Sequence, residues 1–204
     1  MRMNLPNKLT VLRIILVPIF LILLMWDFPF HYLAANLVFV AASLTDLLDG
    51  KIARKHGLIT DLGKFLDPLA DKMLTTAAFL GFMACSIGDR FGGAMTDMLM
   101  WVNFIVLTRE FMVTSVRLMA AGGGKVVAAN IYGKLKTVLQ MTAIITAMAF
   151  EWFIELFSFF FTLPTIIVDL MVILYTALIW ASTVMAVISG IIYVWQNKEY
   201  IKTK

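Results

Sequence analysis

The sequence predicts an all-α integral membrane protein with six transmembrane helices and both termini on the cytoplasmic side. Two observations support this prediction. The first is composition: 61% of the 204 residues are hydrophobic, only 15% are charged, and the mean hydropathy is +0.90. A soluble domain of this length could not hide that much apolar surface in its core. The second observation is the placement of the basic residues, which alternates along the chain.

Six apolar stretches are long enough to cross a hydrocarbon core of about 30 Å, which takes roughly 20 residues of helix. The stretches lie at about 9–26, 31–48, 68–87, 97–118, 135–155 and 166–195. We find no internal repeat, low-complexity tract or linker between them. We therefore interpret residues 1–204 as a single six-helix membrane domain.

The basic residues predict the orientation of these helices. Of the 17 Lys and Arg residues, all except Arg90 lie at the N-terminus, in 51–72, in 109–136 or in 198–204. By the positive-inside rule, those segments face the cytoplasm. The net charge of +4 is therefore explained by topology and attraction to anionic membrane lipids, and we expect no nucleic-acid partner. The predicted location is the cell membrane.

The polar segment TDLLDGKIARKHGLITDLGKFLDPLADK, residues 45–72, contains two pairs of aspartates at helical spacing. Asp46 and Asp49 are three residues apart, and Asp67 and Asp71 are four apart, so each pair projects from one face of its helix. A turn near KHGLIT would let the two helices run antiparallel and bring the pairs together. Four converging carboxylates repel one another unless cations lie between them. Mg²⁺ or Mn²⁺, which prefer oxygen ligands, would meet that need.

Small residues and an arginine accompany the aspartates. Gly50 and Ala53 follow the first pair and Gly63 precedes the second, and small residues let a ligand approach closely. Arg54 can bind a phosphate through two parallel hydrogen bonds. The combination indicates a diphosphate site at the membrane surface. The alternative, solvated aspartates paired with nearby Lys and Arg, fits a single aspartate better than two tandem helical pairs.

The spacing of these residues resembles the signature of the CDP-alcohol phosphotransferases. The pattern D-x2-D-G-x2-A-R-x8-G-x3-D-x3-D, residues 46–71, matches it at every fixed position. The resemblance implies that an alcohol displaces CMP from a CDP-linked lipid, and that the protein is a homodimer. It also implies two metal ions held by Asp46, Asp49, Asp67 and Asp71, with Asp71 as general base. The nucleotide and diphosphate would be bound by Gly50, Ala53, Arg54 and Gly63.

A second set of basic residues predicts where an acceptor phosphate binds. We expect an anion site built from some of Arg109, Arg117, Lys134 and Lys136. Positive-inside topology accounts well for Arg117 and Lys134, whereas Arg109 lies deeper in its span. A neutral acceptor such as serine or choline would not need so many cations, but a phosphorylated alcohol would.

Three stretches resemble the phosphatidylglycerophosphate synthases within that family. They are the opening NLPNKLTVLRIILVP and the segments LTREFMVTSVR and GKLKTVLQ. This resemblance implies CDP-diacylglycerol as donor and sn-glycerol 3-phosphate as acceptor. Asn7, Thr10 and Arg13 would border the site, although a helix cap and topology explain them equally well. Two other hypotheses remain: another acceptor, such as an inositol phosphate or phosphatidylglycerol, or an ion or proton transporter that uses the aspartates.

Overall fold

The structure is a computed structural model that describes residues 4–56, 61–85, 87, 93–122, 131–161 and 163–198. Within those residues there are six long helices and no strand, so the all-α prediction is confirmed. The helices are α1 (Leu5–Met25), α2 (His31–His56), α3 (Asp61–Ala84), α4 (Ala94–Gly122), α5 (Ile131–Ser158) and α6 (Thr165–Gln196).

The helix starts follow local sequence signals. Asn4 caps α1, because its Oδ1 accepts a hydrogen bond from the Asn7 backbone N–H at 3.1 Å. Pro6 lies in the first turn of α1, and Pro164 immediately precedes α6; proline is tolerated at both places. α3 begins at Asp61, several residues before its predicted apolar stretch, because the polar end of the signature is itself helical.

Four helices, α1, α4, α5 and α6, are long and apolar enough to cross a membrane by length and composition. The other two, α2 and α3, have 26 and 24 residues but carry the charged segment 45–72 at their adjoining ends. Those charges lower the hydropathy of both helices without shortening them.

The six helices form a ring in the order α2, α1, α3, α4, α6, α5, and α5 packs back against α2. Among the described residues, α1 thus packs against both signature helices, which contact each other less than either contacts α1. Aromatic packing contributes to the α1–α2 contact, since the rings of Phe20 and Phe39 are 5.5 Å apart.

Polar parts of the described helices meet at one end of this ring. Near that end, the start of α1 contacts the end of α2, and the start of α5 contacts the second half of α4. At the opposite end, the Phe30 backbone N–H donates to Glu155 Oε1 at 2.6 Å, which ties the α1–α2 connection to α5. This up-and-down arrangement brings Arg13, Asp46, Glu110 and Lys136 to the same end of the bundle.

Candidate active site

A buried ion-pair group joins α1 to α2, and we call it the Arg13 cluster (Thr10, Arg13, Asp46 and Asp49). Arg13 is 0% exposed, and its Nη1 and Nη2 lie 2.8 Å from Asp46 Oδ1 and 2.5 Å from Asp49 Oδ2. Thr10, one turn earlier, places its hydroxyl 3.5 Å from Asp49 Oδ2. The planar guanidinium has donors for both carboxylates at once, which a lysine could not provide in the same geometry.

A second ion-pair group joins α4, α5 and α6, and we call it the Glu110 cluster (Arg109, Glu110, Lys136 and Ser189). Glu110 Oε1 accepts from Arg109 Nη1 at 2.8 Å and from Lys136 Nζ at 2.9 Å. Arg109 Nη2 also donates to Ser189 Oγ at 2.8 Å. Both cations are buried, with Arg109 9% and Lys136 5% exposed.

The Glu110 cluster depends on close packing of α4 against α6. At Gly190 an added Cβ would lie 2.9 Å from Arg109 Cγ and 3.4 Å from Met112 Cε, so a larger residue would crowd the arginine. Glycine at this position lets Arg109 lie across the surface of α6. Its guanidinium is thereby directed toward Ser189 and Glu110.

The two clusters face one cavity of about 110 Å³ at the polar end of the ring. Its polar lining comes from five helices and includes Arg13, Asp46, Lys72, Glu110, Lys136 and Gln140. Lys72 Nζ donates to Thr114 Oγ1 at 2.7 Å, which ties α3 to α4 beside the cavity. Carboxylates and cations therefore line the same small polar space.

An apolar groove of about 310 Å³ adjoins that cavity between α2 and α5. Its walls are mainly aliphatic and include Leu44 and Val138, which are 51% and 61% exposed. Asp46, Thr137 and Met141 line both the groove and the cavity. The groove thus leads from an exposed apolar surface to the half-buried carboxylate of Asp46, whose side chain is 39% exposed.

The predicted signature residues lie where α2 and α3 adjoin. Gly50, Ala53 and Arg54 are in the last two turns of α2, and Gly63, Asp67 and Asp71 are in the first half of α3. Gly63 is buried. The side chains of Ala53, Arg54, Asp67 and Asp71, and the surroundings of Gly50, lie outside the described part of the structure.

The four predicted acceptor residues divide into two groups. Lys136 lines the cavity, and Arg109 supports it through Glu110. Arg117 is exposed, with its Nε 3.5 Å from Tyr193 Oη, and Lys134 is exposed as well. Among the described contacts, the structure therefore brings Arg109 and Lys136 together and leaves Arg117 and Lys134 outside the cavity lining.

Of the three predicted border residues, Thr10 and Arg13 contact the signature carboxylates directly. The backbone N–H of Asn7 donates to the capping side chain of Asn4. Sequence reasoning missed Lys72, Glu110 and Gln140. Lys72 follows the last aspartate of the signature, and Gln140 lies four residues after Lys136, so helical spacing could have identified both. Glu110 directly follows Arg109 in the sequence, and that position alone does not indicate its contact with Lys136.

Comparison with known proteins identifies the family. Residues 3–195 match the CDP-alcohol phosphatidyltransferase family. The chain belongs to this family. The resemblance predicted from the spacing of residues 46–71 is confirmed, since this segment lies within the matched range.

Members of the family from several bacteria are similar to this chain. The CDP-diacylglycerol--glycerol-3-phosphate 3-phosphatidyltransferase of Bacillus subtilis strain 168 is 38% identical over 98% of this chain and 98% of its own length. A protein of the same name from Rickettsia bellii is 36% identical over 69% of this chain and 72% of its own length. A probable phosphatidylglycerophosphate synthase of Mycobacterium tuberculosis H37Rv is 40% identical over 69% of this chain and 64% of its own length.

The donor atoms on α2 suit a hard divalent cation. Asp46 and Asp49 supply carboxylate oxygens next to a polar cavity, and such oxygens are the preferred ligands of Mg²⁺ and Mn²⁺. Among the side chains that the structure describes, no three His, Cys, Asp or Glu residues group together in a way that could hold a metal ion. The predicted set of four also includes Asp67 and Asp71, which lie outside that description.

Proposed function

We propose that this chain transfers the phosphatidyl group of CDP-diacylglycerol to sn-glycerol 3-phosphate, giving phosphatidylglycerophosphate and CMP. The observation that supports it most is the junction at Asp46 between a polar cavity and an apolar groove. A reaction that joins a lipid to a small phosphorylated alcohol needs both surfaces beside one reactive centre. The names of the similar bacterial proteins state the same donor and acceptor.

The polar cavity suits the acceptor. Lys136 and Lys72 line it, and Arg109 donates a hydrogen bond to Glu110 of the same lining. An anionic phosphate would therefore bind next to an excess of positive charge. The acceptor hydroxyl would then lie toward the signature aspartates. Arg117 and Lys134, which are exposed, would attract the anion from solution before it enters the cavity.

The apolar groove suits the donor. An acyl chain lying between α2 and α5 would place the lipid phosphate near Asp46 and the end of α2. Gly50, Ala53, Arg54 and Gly63 would bind the cytidine nucleotide and its diphosphate, as the family signature implies. Arg54 is the member of that set with a charge that complements a phosphate.

The reaction forms a bond between the acceptor oxygen and the lipid phosphorus while the bond from that phosphorus to CMP breaks. We assign Asp71 as the general base that takes the hydroxyl proton. Two Mg²⁺ or Mn²⁺ ions bound by Asp46, Asp49, Asp67 and Asp71 would supply neutralising charge for the phosphoryl oxygens and for leaving CMP. Arg13 orients Asp46 and Asp49 and supplies part of their countercharge.

We also propose that all six helices cross the cell membrane, with both termini and the active site on the cytoplasmic side. The helices α2 and α3, with 26 and 24 residues, are about 39 and 36 Å long, and both lengths exceed the hydrocarbon thickness of the membrane. The charged residues of α2 and α3 lie at the same end as the other basic segments, where the positive-inside rule puts the cytoplasm. Residues 1–204 form a single catalytic domain, and the chain works as a homodimer among membrane lipids.

A CMP-release assay on purified protein tests the function. The protein is supplied with CDP-diacylglycerol, Mg²⁺ and one acceptor at a time: sn-glycerol 3-phosphate, an inositol phosphate or phosphatidylglycerol. We expect CMP release with sn-glycerol 3-phosphate. CMP release with another acceptor alone would support the family assignment but contradict sn-glycerol 3-phosphate as the acceptor. Ion uptake into vesicles without any CMP release would instead favour a transporter.

A further inference from the structure

Gln140 is a buried amide without a hydrogen-bond partner among the described residues. The residue is 1% exposed, and neither Oε1 nor Nε2 is paired. Leaving one such group unpaired costs about 1–3 kcal/mol. A methionine or leucine would fill the same space without that cost, so packing alone does not explain glutamine here.

The position of Gln140 connects it to the polar cavity. It lies on α5 one turn after Lys136, so both side chains share a helix face, and both line the cavity. Asp46 and Lys72 belong to the same lining. The unpaired amide is therefore set in the wall of a space that can admit a small polar molecule.

The chemistry of the neighbouring groups narrows what the amide can bind. Lys72 and Lys136 only donate hydrogen bonds, and Glu110 Oε1 already accepts from Arg109 and Lys136. A phosphate would accept hydrogen bonds from the lysines, whereas a neutral hydroxyl both donates and accepts, and a single amide can meet both needs. Thr75 and Thr137 also line the cavity, but their hydroxyls already donate to the Lys72 and Gly133 carbonyls. Among the described lining residues, Gln140 is the one whose buried donor and buried acceptor both lack a partner.

We propose, building on the proposed transfer to glycerol 3-phosphate, that Gln140 binds the acceptor hydroxyl that does not react. In sn-glycerol 3-phosphate this is the secondary hydroxyl, since the primary hydroxyl attacks phosphorus and the phosphate meets the lysines. Gln140 thereby determines specificity for a polyol phosphate. An acceptor without this hydroxyl would leave the amide unpaired, so the enzyme would reject it.

The test compares two acceptors in the CMP-release assay, with CDP-diacylglycerol as donor. One is sn-glycerol 3-phosphate and the other is 3-hydroxypropyl phosphate, which lacks only the secondary hydroxyl. We expect the unaltered protein to favour the former by at least about tenfold in kcat/KM, on the scale of one buried hydrogen bond. Methionine has a similar shape to glutamine, so Gln140→Met should lose most of this preference. Its kcat/KM for glycerol 3-phosphate should fall, whereas its kcat/KM for the analogue should change little.

Asn103→Leu is the matched control, because Asn103 on α4 is also buried and its Oδ1 has no partner among the described residues. It does not line the cavity, so its variant should keep the preference. Gln140→Glu retains an acceptor but no amide donor and should give an intermediate preference.

Three results overturn the assignment of Gln140: an unaltered preference in Gln140→Met, no preference in the unaltered protein, or failure of both Gln140 variants to fold, which would make the residue structural. No CMP release by the unaltered protein with either acceptor overturns the proposed function itself. The two failures are thus distinguishable.

Discussion

The Arg13 cluster and the Glu110 cluster are both ion-pair networks built around one shared side chain, but the signs of the charges are reversed. In the first, one guanidinium is shared by two carboxylates, and in the second, one carboxylate is shared by two cations. Among the described side chains, the first therefore has a negative charge in excess and the second a positive one. Both clusters contribute to the lining of the same cavity.

The difference indicates how one small space can attract charges of both signs. The carboxylate-rich cluster suits cations, and the cation-rich cluster suits a phosphate. Within each cluster, the packed helices hold the paired charges at hydrogen-bonding distance. Substitutions in the two clusters are therefore expected to impair the protein in different ways.

The largest effect is expected on the carboxylate side. Asp46→Asn should slow CMP release at least about a thousandfold, because several kcal/mol of charge stabilisation at the phosphoryl group would be lost. Asp67→Asn should behave alike, and a chelator should abolish activity until Mg²⁺ or Mn²⁺ is added. Asp27→Asn is the matched control, since Asp27 is exposed in the connection between α1 and α2. Full activity in excess chelator would contradict the metal assignment.

Removal of the shared cation should affect stability. Arg13→Gln leaves two buried or half-buried carboxylates without their guanidinium, which should cost about 3–5 kcal/mol of unfolding free energy without added metal. Thermal unfolding in detergent measures this, with Arg117→Gln as an exposed control. Mg²⁺ should restore part of the loss, as the carboxylates regain a cation. An unchanged unfolding temperature would show that the ion pairs contribute nothing.

The next effect separates the general base from the metal ligands. Asp71→Asn should lower kcat about a hundredfold or more while leaving CDP-diacylglycerol binding intact, because the proton transfer occurs only in the transition state. Titration with Mn²⁺ should rescue Asp67→Asn further than Asp71→Asn. Equal rescue of both variants would make Asp71 a metal ligand and not the base.

On the cation-rich side, Lys136→Met should raise the KM for sn-glycerol 3-phosphate. Loss of a buried charge partner costs about 2 kcal/mol or more, which is roughly 30-fold in apparent affinity. Lys134→Met, two residues away and exposed, should change KM little. The KM for CDP-diacylglycerol should stay similar in both. Equal effects of the two substitutions would mean that burial in the Glu110 cluster does not matter.

The smallest effect concerns the packing behind that cluster. Gly190→Ala should destabilise the protein by about 1 kcal/mol, because the added methyl would crowd Arg109 Cγ. Ser189→Ala is the companion variant, as it removes only the hydroxyl that accepts from Arg109. If Gly190→Ala leaves the unfolding temperature unchanged, α4 and α6 adjust without strain.

Much of this architecture could be predicted from the sequence because it follows from periodicity and composition. Helical spacing identified the pairing of Asp46 with Asp49, and length and apolarity identified the helices. What could not be predicted was the position of α1 between α2 and α3. Neighbouring elements usually pack together, so local sequence patterns do not indicate that α1 lies between two consecutive helices.

Sequence reasoning also underestimated residues whose role depends on distant partners. Arg13 and Asp46 are far apart in the chain, and only the fold brings them to 2.8 Å. The role of Glu110 is evident only in the fold, where Lys136 of the next helix donates a hydrogen bond to it. The number of charged residues along a sequence does not show how many cations and how many carboxylates meet in each cluster.

The apolar groove between α2 and α5 has a consequence for kinetics. A donor that enters through it would arrive by lateral diffusion within the bilayer, whereas the phosphorylated acceptor arrives from water through the polar cavity. The rate would then depend on the mole fraction of donor in the membrane plane and not on its bulk concentration. Diluting the donor with inert lipid would slow turnover even at constant total amount. The two products would likewise part at Asp46, CMP into water and the new lipid into the leaflet from which its precursor came.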